Sequence, residues 1–141
     1  MYRIRRVPLS DATWATLVAL EEQVGLLPAH KPSAMWWLAY GEEGPVGYAG
    51  LLHYPDIGRP GSFLLRCGVL PEARGQGLQR RFIQVREAQA KRDGYDRCFT
   101  YTAPDNLHSA NNLIACGYRL YTPPFRWGLT NGLYFEKILC S

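Results

Sequence analysis

The chain predicts an α/β fold, and three observations predict it. Residues 63–70 are nearly continuous in apolar side chains, as a central strand covered on both faces requires. From Leu78 onward, Leu78, Phe82, Val85 and Ala88 recur at spacings of four, three and three, with Arg80, Gln84, Glu87 and Lys91 on another face. That is the pattern of a helix packed on a sheet. Around this pair, strand-like and helix-like segments come in mixed order, with no internal repeat and no linker.

Each element has a local reason. Residues 2–7 alternate as a short strand. Ser10 or Asp11 caps a helix whose apolar face is Trp14, Leu17, Leu20 and Val24, ending near Gly25. Pro28 and Pro32 bracket a loop or short helix. Residues 34–40 and 46–54 flank Gly41-Glu42-Glu43-Gly44, a hairpin signal, and Pro71 ends the central strand. After the helix beginning at Leu78 come a strand over 98–102, a helix capped by Asn106, and a strand over 118–121. In that last helix Leu107, Ala110 and Ile114 form one stripe, and Gly117 suits the left-handed residue that closes it. Finally, residues 125–129 and 133–139 flank Asn131-Gly132 as two further strands, although Pro123-Pro124 interrupts the approach.

Composition sets the outer bounds. At 141 residues, 47% hydrophobic and 20% charged, the chain predicts one domain over 1–141 that folds without a partner. The start Met1-Tyr2-Arg3-Ile4-Arg5-Arg6 lacks the apolar run of a signal peptide, and no stretch reaches membrane-spanning length, so a cytoplasmic protein with no membrane partner is expected. Cys67, Cys98, Cys116 and Cys140 have no close paired spacing, and three lie in expected strands or helices, which favours buried free thiols over a disulfide frame or a zinc site. The net charge is +4, yet the arginines are dispersed from Arg3 to Arg126. A nucleic-acid partner is therefore not expected, and Glu87 can pair with Lys91 one helical turn on. Oligomeric state, monomer or homodimer, is left open.

The most informative stretch is Val69-Leu70-Pro71-Glu72-Ala73-Arg74-Gly75-Gln76-Gly77-Leu78. Gly75 and Gly77 sit where a strand hands over to a helix, so unpaired amides point outward and the helix dipole favours an anion. A P-loop would need Lys-Ser or Lys-Thr, which is missing. A dinucleotide fingerprint would need a glycine where Arg80 stands and an acidic residue closing the next strand, yet Asp96 precedes that strand.

A third arrangement, Val-x-Pro-x-x-Arg-Gly-x-Gly-Leu, resembles the acetyl-CoA pyrophosphate loop of the GNAT superfamily of N-acetyltransferases. The segment from Asp105 to Tyr118 is similar to the family's later motif, an asparagine after a strand, then a short helix and Gly-aromatic. The resemblance extends over the whole chain. It implies a mixed, largely antiparallel central sheet flanked by helices on both faces, with middle strands splayed to admit pantetheine. It also implies acetyl-CoA as cosubstrate and an amine, on a small molecule or a protein, as acceptor.

By the same resemblance, the amides of Gly75, Gln76, Gly77, Gln79 and Arg80 would hold the pyrophosphate, with Arg74 opening the turn. The Val69 backbone would pair with pantetheine. Asn106, with Ser109 or Asn112, would lie along the cofactor's other flank. Gln79 departs from the family's small residue at its position. Where the family often has a glutamate base and a tyrosine acid, this chain has Phe63 and Leu113, neither of which can carry a proton.

His53, near the end of the third strand, is then the candidate base, through water if needed. A strand-end histidine with no role is the alternative. His30 and His108 read as surface residues, and Tyr101, Tyr118, Tyr121, Trp36, Trp37 and Trp127 as core or pocket walls. Glu21, Glu22, Glu42 and Glu43 read as a solvated helix end and turn, while Asp56 is one more acid able to attract a cationic amine. A catalytically silent acyl-CoA-binding module is a second reading of the same features.

Overall fold

The computed structural model describes residues 2–24, 34–54, 59–124 and 126–139. The expected features at His30, Pro28, Pro32 and Asp56 lie outside the described residues. The elements are β1 (Arg3–Val7), α1 (Asp11–Gln23), β2 (Met35–Gly41), β3 (Gly44–Tyr54), β4 (Gly61–Val69), α2 (Leu78–Arg92), β5 (Arg97–Thr102), α3 (Leu107–Ala115), β6 (Arg119–Leu120) and β7 (Leu133–Ile138). The seven strands have the order β1-β2-β3-β4-β5-β7-β6. β1–β2, β2–β3, β5–β7 and β6–β7 are antiparallel, and β4–β5 is parallel. A mixed, mostly antiparallel sheet with helices is thus what the chain forms.

The expected strand over 125–129 is absent at the described residues 126–129. Pro123-Pro124 removes two backbone donors at its approach. Tight packing then holds Gly128, where a Cβ would lie 2.3 Å from the Tyr101 ring.

The chain divides into two compact units, residues 1–52 with 65–82, and residues 53–64 with 83–141. In the first unit, consecutive strand residues sort the helices onto opposite faces. Arg66 points to α1, where its guanidinium meets Glu21 at 3.1 Å, and Tyr48, which also faces Glu21, packs over Gly68. Gly47 and Val69 alternate to the other face, beneath Phe82 of α2. Trp36, Trp37, Leu17, Leu20 and Leu51 fill this core. Trp36 is admitted by Gly50, whose Cβ would approach its ring to 2.8 Å.

Glu21 corrects the sequence reading of a solvated helix end. It is 0% exposed. Burying a carboxylate costs several kcal/mol unless it is paired, and Arg66 supplies the pair. Trp14, expected on the buried stripe of α1, is exposed instead.

In the second unit, alternation along β5 separates an aromatic face from a polar one. Phe99 and Tyr101 join Phe63, Tyr134 and Trp127, whose indole stands edge-on to all four rings at centroid distances of 5.2–5.5 Å. Cys98 lies on the opposite face with Tyr118, Glu87 and Lys137. Glu87 pairs with Lys137 at 3.0 Å rather than being held only in the expected i,i+4 relation to Lys91. Among the described residues the β4–β5 register covers Ser62↔Cys98 and Phe63↔Phe99. At the next position the Thr100 hydroxyl donates to the Leu64 carbonyl at 2.9 Å, a side-chain bond that continues the contact between the two strands.

Two helical stripes also differ from their sequence reading. On α2 the buried residues after Phe82 are Ile83, Arg86, Gln89 and Ala90, while Ala88 is exposed. On α3 Leu107 and Ile114 are exposed, and Ala110, Asn112 and Leu113 are buried.

Candidate functional site

Within the first unit the glycine turn is built by backbone logic. Leu70 donates to the Val46 carbonyl at 2.8 Å, which ties the end of β4 to β3. Alternate residues of an antiparallel strand present their amides to opposite sides, so the Val69 amide and carbonyl point away from β3. The Val69 carbonyl is taken by Arg74 Nε at 2.9 Å. Pro71–Ala73 makes one 3-10 turn, closed by Ala73 N to Leu70 O at 2.9 Å. The bond from Arg74 ties the start of the loop back to the end of β4.

Gly75 and Gly77 take φ of +76° and +78°, the left-handed region that side chains avoid. A Cβ built on either meets nothing within 4 Å, so the space beside both glycines is open. Among the described residues the amides of Gly75, Gln76 and Gly77 meet no protein acceptor, and all three residues are exposed. Arg81 N then donates to the Gly77 carbonyl at 3.0 Å, beginning the helical bonds of α2. The result is an open shelf of donors at the N-terminus of a 15-residue helix, with the exposed cation Arg80 beside it. Such a shelf fits the phosphates of an anionic ligand. Gln79 is half-buried, so its larger side chain is accommodated without closing the turn.

Sequence reasoning missed Tyr2, which bonds to this turn through two groups. Gln76 Nε2 donates to its phenol oxygen at 3.3 Å, and Arg81 Nη1 to its carbonyl at 3.1 Å. No local pattern could have shown this, because the partners are 74 and 79 residues apart.

The remaining candidates belong to the second unit. Asn106 caps α3, its side-chain oxygen accepting from the Ser109 amide at 3.2 Å, so these two residues are brought together. Asn112 is buried and lies 3.4 Å from His108 Nε2. Phe63 and Leu113 are buried and apolar.

His53 is held on three sides. Its Nδ1 lies 2.8 Å from the Ser62 hydroxyl, its Nε2 lies 2.8 Å from Asp93 Oδ2, and its ring stacks on Tyr95 at 4.2 Å. With Nε2–H donating to the carboxylate, Nδ1 accepts from Ser62. Gln89 Nε2 donates to both Asp93 oxygens at 3.0 and 3.1 Å, fixing the acid in turn. In that arrangement both ring nitrogens are engaged by protein groups. Ser62 is 0% exposed, so the Ser-His-Asp arrangement cannot present a nucleophile to a substrate. One sequence signal did exist. Asp93 follows the C-terminal end of α2, where an acid opposes the helix dipole unless another donor holds it.

Among the described residues no cluster of histidine, cysteine, aspartate or glutamate could hold a metal, and no helix is long and apolar enough to cross a membrane. Cys67, Cys98 and Cys116 are not joined in disulfides; Cys98 is buried as expected, whereas Cys67 and Cys116 are only half-buried.

Comparison with known proteins follows this geometry. A family profile described as the acetyltransferase (GNAT) family matches residues 3–118. Among solved structures, the ribosomal-protein-S18-alanine N-acetyltransferase from Escherichia coli is similar with a TM-score of 0.77 and 14% identity, covering 100% of this chain and 96% of its own. An acetyltransferase from Bacillus subtilis, solved in complex with CoA, gives 0.73 and 15%, covering 99% and 100%. A putative acyl-CoA N-acyltransferase from Klebsiella pneumoniae gives 0.72 and 20%, covering 99% of each chain. At these identities the structures show a shared fold. A search of curated proteins found no match.

Proposed function

The chain belongs to the GNAT acetyltransferase family, and on that premise we propose that residues 1–141 form one acetyl-CoA-dependent N-acetyltransferase domain acting on a primary amine of a small molecule or protein. The observation that carries the reading is the turn at Gly75–Gly77, with two left-handed glycines, open space where a Cβ would stand, and outward amides. The amides of Gly75, Gln76, Gly77, Gln79 and Arg80 hold the pyrophosphate. Because the Val69 carbonyl is committed to Arg74, its amide is the group that pairs with pantetheine. Asn106, Ser109 and Asn112 are the flanking contacts on α3.

Acetyl-CoA supplies a thioester activated toward amines. The amine nitrogen bonds to the acetyl carbon, the carbon–sulfur bond breaks, and sulfur leaves with the electron pair. The neutral amine that attacks loses one proton to water as the amide forms. A lysine-like amine of pKa about 10.4 needs roughly 4.6 kcal/mol to be neutral at pH 7, whereas an α-amine of pKa about 7.7 needs about 1 kcal/mol. A thiol of pKa about 8.5 departs as thiolate at a cost of about 2 kcal/mol. With Phe63 and Leu113 where the family's proton-transfer groups stand, a low-pKa amine held against the thioester fits this chain best. His53 is retained as the candidate base, acting only when Ser62 releases Nδ1.

The buried, apolar Phe63 and Leu113 favour one alternative, a module that binds acyl-CoA without turnover. Thiol release from acetyl-CoA across an amine library, run beside direct binding, separates the two. Release that depends on one amine class supports the enzyme. Binding without release from any amine supports the silent module.

A further inference from the structure

Tyr2 reaches the glycine turn and the start of α2 by two hydrogen bonds, and a third contact anchors its ring on the end of β2. Its carbonyl accepts from Arg81, its phenol accepts from Gln76, and its ring fills the space left by Gly41, where a Cβ would lie 3.2 Å from Cε1. The antiparallel register Arg3↔Tyr40 sets this geometry, since it places the residue before β1 beside the residue after Tyr40. Gln76 lies between the two left-handed glycines, and the Arg81 amide closes onto the Gly77 carbonyl. The middle of the segment that offers its amides outward, and the first turn of α2 that follows it, are therefore both fastened to one residue near the start of β1. Glycines on either side of Gln76 give that segment many conformations, and a ligand that must select one of them loses affinity.

We infer that Tyr2 is a positioning residue of the phosphate turn, holding Gln76 and the first turn of α2 in the ligand-ready form before the ligand arrives. The inference rests on the reading of the turn as the acetyl-CoA pyrophosphate site. Linkage makes the coupling reciprocal, so a bound pyrophosphate also orders the strand that follows Tyr2.

The test titrates acetyl-CoA, and separately acetyl-pantetheine, which lacks the diphosphate, into wild type, Tyr2→Phe, Tyr2→Ala and Gln76→Leu. Tyr2→Phe and Gln76→Leu should each weaken acetyl-CoA about two- to fivefold, and Tyr2→Ala about tenfold, the scale of one net hydrogen bond. Binding of acetyl-pantetheine should be the same in all four proteins. Amide exchange across residues 2–7 should slow when wild type binds acetyl-CoA and change less in Tyr2→Phe, a folded variant that differs by one oxygen. Wild type that binds acetyl-CoA while Tyr2→Phe and Tyr2→Ala bind it equally well overturns the inference alone. So does an equal loss of both ligands, which would mark a general structural effect. Wild type that binds no acetyl-CoA overturns both the inference and the site it rests on.

Discussion

At Gly77 a φ of +78° and an empty space beside Cα coincide, and the two have different consequences for substitution. A Cβ meets no protein atom, so the cost to the fold is the left-handed conformation, about 1–2 kcal/mol for an L residue. On the proposed reading the cost to the ligand is larger, because the side chain would enter the space assigned to the phosphates and charged hydrogen bonds of roughly 1.5–3 kcal/mol each would be lost. Gly77→Val should therefore remain folded in circular dichroism and lose acetyl-CoA binding in calorimetry. Unchanged affinity would place the phosphates elsewhere. His53 offers a second test at this scale, since Ser62 and Asp93 occupy both of its nitrogens. General-base catalysis contributes about 10²–10⁴-fold, so His53→Ala should lower turnover by less than about a hundredfold if positioning dominates. The kcat/KM curve from pH 6 to 10 should then follow the ionisation of the amine, and a bell whose limbs ignore the amine would show a dedicated base.

Among the elements, α3 shows how both ends of a helix are satisfied by different means. Asn106 caps the start, and at the finish Lys137 of β7 donates to the Cys116 carbonyl at 2.8 Å while pairing with Glu87 of α2 at 3.0 Å. Lys137→Met removes both and leaves Glu87, whose side chain is 13% exposed, without its cation. That should cost about 2–4 kcal/mol in urea unfolding, somewhat under the roughly 3–5 kcal/mol for breaking a fully buried pair because Lys137 is 29% exposed, and Lys137→Met with Glu87→Gln together should cost less than the sum. The Asn106 cap and the Gly117 close were legible because both act within a few residues. Lys137 was not, because its partners lie 21 and 50 residues away. The same division explains the stripes. Periodicity gave α2 its existence and its start at Leu78, but which residues it buries depends on partners. Arg86 and Gln89 are buried while Ala88 is exposed, and Gln89 is occupied by Asp93 and Arg92. The glycine turn was legible for the opposite reason, since left-handed glycines at a helix entry are a local demand.

For the whole molecule, stability should depend on pH on the alkaline side. Burial pushes the Cys98 thiol from 9.0 up to about 12, against which contact with the Tyr118 phenol acts downward. Burial likewise raises Tyr118, with Cys98 and Glu87 adding to the effect. The folded chain therefore keeps protons that the unfolded chain releases near pH 9, and stability falls as pH rises from about 9 toward 12. Urea midpoints measured from pH 7 to 11 should be level to about pH 9 and then decline, less steeply in Cys98→Ala. The assignment of the glycine turn to acetyl-CoA is tested most directly by one thermal unfolding and calorimetric series with acetyl-CoA, ATP and NAD. Binding to the folded state alone adds about 2.7 kcal/mol at a hundred times the dissociation constant. Acetyl-CoA should raise Tm and release or absorb heat on titration, with ATP and NAD far weaker in both. No shift at millimolar acetyl-CoA, with calorimetry also silent, would contradict the assignment.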